Sequence, residues 1–313
     1  MKKISVIIPF LNESENMVHL CSELDRFLLS ERNNFSAEVI FADDGSTDNS
    51  VDMLKNQKHE NYSAKIIRLS KNYGSHAALR AGILHSTGDI VTFLYADLQD
   101  PPQLISEMFR RMEQGNDIVW ATRNRSDISF SEKLFSKVYA RLMQRFAIKE
   151  FPENGFDIVM FSDKVRTELN QNIESNSSVF LQILTLGFKQ AHVSYSKQGR
   201  KAGQSKWTLS KKIKLFVDSF VAFSYAPIRL VTYAGIGLSV LGFIWMVYII
   251  LRALISADLS PGWPALVGIL MIGFGITNIS LGIIAEYLWR TLDAARKRKV
   301  FIINEMIELN KKS

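Results

Sequence analysis

Cysteine is almost missing from this chain, with Cys21 alone among 313 residues. No intrachain disulfide can form, and with five histidines scattered singly along the sequence a zinc site is not expected either. Cys21 recurs at helical spacing with Met17, Leu20 and Leu24, so it belongs to the apolar face of a helix. A P-loop, a Gly-x-Gly-x-x-Gly fingerprint and a Gly-x-Ser-x-Gly elbow are also absent, which removes the usual support for kinase, dehydrogenase and hydrolase readings. No signal peptide is expected, because the apolar run Ser5 to Leu11 is short and passes straight into Asn12 and Glu13.

Charge is missing from two further places. Leu230 to Leu251 and Leu259 to Ala285 hold no Asp, Glu, Lys or Arg. At about 1.5 Å per residue the first spans roughly 33 Å as a helix, enough for a hydrocarbon core of about 30 Å, and the second is longer. Both are expected to cross a membrane, as helices over 229–255 and 263–289. A pair of buried helices in a soluble core is the competing reading, set aside because such helices rarely exceed about 18 residues without a charge. Gly235, Gly237 and Gly242 in one span and Gly268, Gly273 and Gly275 in the other suit close contact between the two helices.

Positive charge is absent from the connector, Ser256 to Trp263, which carries only Asp258. Lys211, Lys212, Lys214 and Arg229 precede the first span, and Arg290, Arg296, Lys297, Arg298 and Lys299 follow the second. The positive-inside rule then predicts a multi-pass protein of the cytoplasmic (inner) membrane with the large domain and both termini in the cytoplasm. The formal charge of +7 does not point to nucleic acid, because the basic residues gather beside the spans, where anionic lipid attracts them. The bilayer is the expected partner. Leu209 to Tyr225 puts Ile213, Phe216, Val217 and Phe220 on one face and lysines on another, so 208–228 reads as an amphipathic juxtamembrane segment. In the tail, 290–313, the stretch Lys299 to Leu309 reads as a strand or a helix used between subunits, hence a possible homo-oligomer.

Residues 1–207 alternate strand and helix. Ile4 to Pro9, Glu38 to Ala42, Lys65 to Leu69 and Asp89 to Leu94 are short apolar, β-branched runs of the kind buried on both sheet faces. Between them Met17, Leu20, Leu24 and Phe27 keep helical spacing after a cap at Asn12 or Ser14, and Ala77 to His85 reads as a second helix. This alternation predicts an α/β domain with a mostly parallel, Rossmann-like sheet covered by helices on both faces.

Two strands end in acidic turns, Asp43-Asp44-Gly45-Ser46-Thr47-Asp48 and Tyr95-Ala96-Asp97-Leu98-Gln99-Asp100-Pro101-Pro102. In such sheets ligands bind beyond the carboxyl ends of the strands. Carboxylates there would repel a nucleoside diphosphate unless a divalent cation lay between, so Asp97, with Gln99, reads as a ligand for Mg²⁺ or Mn²⁺. Asp100-Pro101-Pro102 taken alone reads as a helix start, with Asp as cap and Pro in the first turn.

With Asn12-Glu13, Asn72-Tyr73-Gly74 and the run Arg200, Gly203, Ser205, Lys206, Trp207 added to these turns, the chain resembles the family 2 glycosyltransferases. Within them it is most similar to the polyprenyl-phosphate glycosyltransferases, the group of dolichol-phosphate mannose synthase and the bactoprenol glucosyltransferases. The resemblance implies a GT-A fold, with Pro9, Leu11, Glu13 and Asp44 lining the nucleoside pocket and Asp97 and Gln99 at the metal and diphosphate. It implies Arg123 at the acceptor phosphate, Lys133 and Ser136 near a second contact on the following helix, and Arg200 and Lys206 in a loop that closes near the phosphates. Asp97, Arg123 and Arg200 are the implied catalytic residues. For each of these basic residues the plainer alternative is a solvated surface charge. The family pattern has Asp two places before Asp97, where this chain has Tyr95, a neutral phenol and a poor hard-metal ligand.

The function implied is inverting transfer of one sugar from a nucleotide sugar, UDP-linked, to undecaprenyl or another polyprenyl phosphate, with a flippase as a downstream partner. A processive polysaccharide synthase would carry Gln-x-x-Arg-Trp, yet none of the five tryptophans follows an arginine. Tyr95 motivates a different class, a non-catalytic membrane subunit that binds nucleotide sugar or lipid.

Overall fold

The computed structural model describes residues 1–123, 130–152, 155–173, 178–196, 224, 226–255, 262–296 and 298–309. Arg200, Lys206 and nearly all of the amphipathic segment 208–228 lie outside the described residues. The chain divides into two units, Met1–Ser219 with Lys299–Ser313, and Phe220–Arg298.

The first unit is built on one eight-stranded sheet, in the order β7-β5-β6-β4-β1-β2-β3-β8. Its strands are β1 (Lys3–Phe10), β2 (Ser36–Asp43), β3 (Ser63–Leu69), β4 (Ile90–Phe93), β5 (Ile118–Arg123), β6 (Ile158–Ser162), β7 (Gln190–Tyr195) and β8 (Ile303–Leu309). Parallel pairing runs through β4, β1, β2 and β3, the strands expected from the β-branched runs. Helices α1 (Ser14–Glu31), α2 (Ser50–Lys55), α3 (Ser75–Leu84) and α4 (Leu104–Glu113) fill the crossovers. The sheet is mixed, because β6 runs antiparallel between β4 and β5 and β8 runs antiparallel along β3. Among the described residues this unit also holds α5 (Phe130–Phe146), α6 (Asp163–Gln171) and α7 (Val179–Thr185).

Packing fixes these layers closely. Ile4, Val6 and Ile8 point to one face of β1, with Met17, Leu20 and Leu24 of α1 buried in the same core. On the other face α3 rides so close to β1 that a Cβ at Gly82 would stand 2.3 Å from Cγ2 of Ile7. The C-terminal stretch Ile303–Leu309 is a strand paired to β3 of its own chain.

The amino ends of the strands carry a buried carboxylate of purely structural character. Glu38 accepts from Ser5 Oγ, from the Thr87 N–H and hydroxyl, and from Lys3 Nζ at 3.0 Å. Burial alone would raise its pKa, but these donors outweigh burial and hold it down to about 2 against an ordinary 4.5. A carboxylate with a depressed folded pKa contributes stability that is complete above its unfolded value and is lost as pH falls toward the folded one. The unfolding midpoint is therefore expected to drop between about pH 4.5 and about pH 2, by up to about 3 kcal/mol of stability from this group. Glu38→Gln should be less stable at neutral pH and flatter across that window; an unchanged acid slope in the variant would assign the loss to other groups.

The second unit holds α8 (Ala226–Ile255) and α9 (Trp263–Ala295), of 30 and 33 residues, which pack against each other. Both are long and apolar enough to cross a membrane, with apolar windows over Ile228–Trp245 and Ile272–Asp293. Their large side chains face outward, Leu230 at 72% exposure and Phe274 at 68%. Tyr287 donates its hydroxyl to the Ser224 carbonyl at 2.6 Å and ties the start of α8 to the end of α9. Five of the six glycines do not make the expected contact, since a Cβ at Gly235, Gly237, Gly242, Gly273 or Gly275 would meet nothing within 4 Å; the surroundings of Gly268 lie outside what the structure describes. Glycine is common in apolar helices of this kind without marking a seam.

Candidate functional site

The carboxyl ends of β1 and β2 finish level, Phe10 opposite Asp43, and the two loops that follow are stitched together. Asn12 takes a left-handed conformation, φ 52°. Its N–H donates to Ser46 Oγ at 2.9 Å and its Oδ1 accepts the Thr47 N–H at 2.8 Å. The Glu13 N–H reaches Ser50 Oγ at 2.9 Å and the Ser14 N–H reaches Asp48 at 3.1 Å. Pro9 is buried beneath this joint, while Leu11 and Glu13 are half-buried at its surface. Gly45 is required at its place, since φ is +79° and a Cβ would stand 2.6 Å from the Lys71 carbonyl carbon.

That close approach brings in the third loop. Asp44 accepts the Tyr73 N–H at 2.7 Å and the Gly74 N–H at 2.9 Å, and burial raises its pKa. Asp43 beside it accepts the Ser46 N–H at 2.7 Å and pairs with Arg68 Nε at 3.3 Å. The Asn12-Glu13, Asp43 to Asp48 and Asn72 to Gly74 segments thus form one rim, far apart in sequence and contiguous in space.

A second cluster follows β4. Leu98 is left-handed, φ 54°, and the tight turn lets the Gln99 N–H donate to Asp97 Oδ1 at 3.2 Å, with both side chains half-buried. Asp100 is buried and receives the Tyr195 hydroxyl from the end of β7. Pro101 and Pro102 do lead into α4 as expected, their carbonyls accepting the Leu104 and Ile105 N–H at 3.0 Å, but the N-cap position is Gln103 with no side-chain cap, and the side chain of Asp100 meets Tyr195. The physical reason is the register that places Tyr195 beside Arg123 at the ends of β7 and β5.

Arg123 ends β5 and is clamped. Its Nε reaches both oxygens of Asp157 at 3.1 Å, and Nη2 reaches Oδ1 at 3.0 Å. Burial opposes the guanidinium charge, but the Asp157 carboxylate outweighs it and raises the pKa further. Asp157 meets Arg123 because β6 returns antiparallel beside β5, with the Asp157 N–H on the Ala121 carbonyl at 3.0 Å. Asp157 and Tyr195 were missed by motif reading, since nothing local marks them and only strand pairing brings them in. Lys133 and Ser136 lie on α5, with side chains outside the described residues.

Residues 5–170 match the family described as Glycosyl transferase family 2. The chain belongs to that family. It is 31% identical over 309 residues to the uncharacterized glycosyltransferase YkcC of Bacillus subtilis, covering 98% of this chain and 95% of that one. It is 29% identical over 316 residues to an undecaprenyl-phosphate 4-deoxy-4-formamido-L-arabinose transferase of Proteus mirabilis, covering 99% and 96%. Among solved structures, the mannosyltransferase PcManGT of Pyrobaculum calidifontis, in complex with GDP-Man and Mn²⁺, overlays with a TM-score of 0.47 at 14% identity, over 93% of this chain and 88% of that one. The Rossmann-like, mostly parallel domain followed by two apolar helices is the GT-A architecture expected from the sequence.

For a glycosyltransferase of this kind, the fit of a cation turns on Tyr95. Burial first, then the charges of Asp100, Asp157 and Asp97, push the pKa of its phenol up, so it stays neutral and offers no anionic ligand. Asp100 is engaged by Tyr195 and Asp157 by Arg123. Among the described residues no group of three or more His, Cys, Asp or Glu side chains is arranged to hold a metal. Among the described residues the donor set does not form an all-protein cage, and would fit a hard cation only if Asp97 shared it with oxygens from outside the protein.

Proposed function

We propose that this glycosyltransferase is an inverting, membrane-bound enzyme that moves one sugar from a UDP-linked donor to undecaprenyl phosphate or a similar polyprenyl phosphate. The observation that carries this reading is the pairing of a carboxylate-fixed arginine, Arg123, with the Asp97 turn in a chain that also holds two helices of membrane-crossing length. A relative named for an undecaprenyl-phosphate acceptor, similar over nearly the whole chain, supports it.

In this reading Pro9, Leu11, Glu13 and Asp44 line the nucleoside pocket on the rim, Asp97 with Gln99 would hold Mg²⁺ or Mn²⁺ at the diphosphate, and Arg123 binds the acceptor phosphate. Lys133, Ser136, Arg200 and Lys206 complete the phosphate contacts. A bound cation supplies neutralisation of the charge that develops on the leaving diphosphate. The acceptor phosphate has a second pKa near 6, so it arrives largely dianionic and needs no strong base. Its oxygen attacks the anomeric carbon directly, the bond from that carbon to the diphosphate oxygen breaks, and the configuration inverts. The work of the side chains is to hold two anions in line, a task for fixed cationic donors.

The orientation has support of its own. β8 pairs with β3, yet α8 and α9 stand between β7 and β8 in sequence. A chain that leaves this sheet and returns to it ends on the side it left, which two crossings provide and one does not. The basic flanks support the cytoplasm as that side, with the spans in the inner membrane.

Incubation of the purified full chain with a panel of radiolabelled nucleotide sugars and polyprenyl phosphate tests the proposal. One lipid-linked sugar is the expected product. A polymer would indicate a processive synthase, and no product with any donor would favour the non-catalytic subunit that Tyr95 suggests.

A further inference from the structure

The turn that carries Asp97 and Gln99 is fastened far from where it starts. Burial alternates along it: Ala96, Leu98 and Asp100 are buried, while Tyr95, Asp97 and Gln99 are half-buried. Ala96 and Leu98 are held by apolar packing in the core. Asp100 is held by a directional bond, donated by the hydroxyl of Tyr195. At its start the turn is tied to β1, where the Leu94 N–H donates to the Ile7 carbonyl at 3.0 Å. β4 and β7 are not neighbours. The order β7-β5-β6-β4 puts two strands between them, a step of about 14 Å at the usual spacing of about 4.8 Å. The chain from Phe93 to Asp100 therefore crosses the ends of β6 and β5 before Asp100 meets Tyr195, and α4, which follows, packs on β5, β6 and β7. Those two strand ends are where Asp157 and Arg123 sit.

Tyr195 is also the register partner of Arg123, so one residue joins the strand end that carries this arginine to the turn that carries Asp97. A carboxylate is costly to bury, and a hydrogen-bonded buried pair rigidifies what it joins more than apolar packing does. Burial, then the charges of Asp100 and Asp157, push the pKa of the Tyr195 phenol up, so it keeps the proton that it donates. We propose that the Tyr195–Asp100 bond is a brace that holds Asp97 in place for the cation, which makes Tyr195 and Asp100 positioning residues of the transfer reaction. The inference rests on the reading of Asp97 as a cation ligand given above.

The test uses the purified full chain with Tyr195→Phe, which removes the hydroxyl and keeps the ring, Asp100→Asn, and the two combined. Titration calorimetry follows Mn²⁺ binding with nucleoside diphosphate present and nucleoside diphosphate binding without Mn²⁺, beside steady-state kinetics on the lipid acceptor and the unfolding midpoint. In Tyr195→Phe the Mn²⁺ affinity should fall by about threefold or more and kcat by about tenfold or more, while KM for the lipid acceptor and metal-free nucleotide affinity stay within about twofold of wild type. The double variant should lose no more Mn²⁺ affinity than the worse single one, because both changes act through one bond. Unchanged Mn²⁺ affinity in Tyr195→Phe, whatever the unfolding midpoint does, or losses that add in the double variant, would overturn the brace. A fall matched by an equal loss of metal-free nucleotide affinity would overturn it too, as the mark of a general support of the fold. Mn²⁺ binding that Asp97→Asn leaves intact would remove the cation reading and this inference together.

Discussion

Asp97→Asn is expected to lower turnover by well over tenfold, close to abolition, with little change in folding. The two side chains have the same shape, and the Asn carbonyl still accepts the Gln99 N–H that closes the turn at Leu98. What disappears is the negative charge, and of the carboxylates around Tyr95 among the described residues, Asp100 receives Tyr195 and Asp157 clamps Arg123. Retention of more than about a tenth of wild-type activity, a loss below about 1.4 kcal/mol of transition-state stabilisation, would rule out a metal-ligand role for Asp97. An unfolding midpoint that falls along with activity would mean the turn has collapsed, so both are measured. In the same series Tyr95→Asp supplies the missing second carboxylate and should tighten apparent Mn²⁺ affinity in a calorimetric titration with nucleoside diphosphate present. Weaker Mn²⁺ dependence in that variant would count against a single-carboxylate site.

The parts of this protein that could be read from its sequence are those where one short segment carries its own physics. Buried parallel strands show as unbroken apolar runs because both faces are covered, and β1 to β4 appear where such runs stand. The joint between the first three loops was legible for a related reason: Asn12, Gly45 and Gly74 have conformations that few residue types adopt. Long-range pairing was not legible. β6 and β8 are the strands that reverse direction within a sheet expected to be mostly parallel, and nothing in Ile158–Ser162 or Ile303–Leu309 announces a partner. The same blindness hid Asp157 and Tyr195, each delivered to the site by the strand beside it, and assigned Asp100 to a cap where it meets a phenol.

Arg123→Lys is expected to damage the acceptor side selectively. The guanidinium has five N–H donors in a fixed fork. Asp157 engages those on Nε and Nη2, which locks the plane of the fork and leaves the rest of its donors set in direction. A lysine keeps the charge, but its single ammonium cannot pair with Asp157 and a phosphate in that geometry, and its flexible stem loses the orientation that two parallel bonds impose. Efficiency with polyprenyl phosphate should therefore fall by about tenfold or more, the scale of losing about 1.4 kcal/mol of positioning. Binding of nucleoside diphosphate should stay within about twofold, because the rim proposed to hold the nucleoside is built from the β1, β2 and β3 loops and shares no hydrogen bond with Arg123 among the described residues. Asp157→Asn, which weakens the clamp and keeps the arginine, should give a milder loss of the same kind. Calorimetry on the nucleoside diphosphate and steady-state kinetics on the lipid acceptor separate the two sides. A fall in nucleotide affinity as large as the fall in acceptor efficiency would place Arg123 in the donor site, and the division of the two phosphate sites between the Asp97 turn and the end of β5 would have to be redrawn.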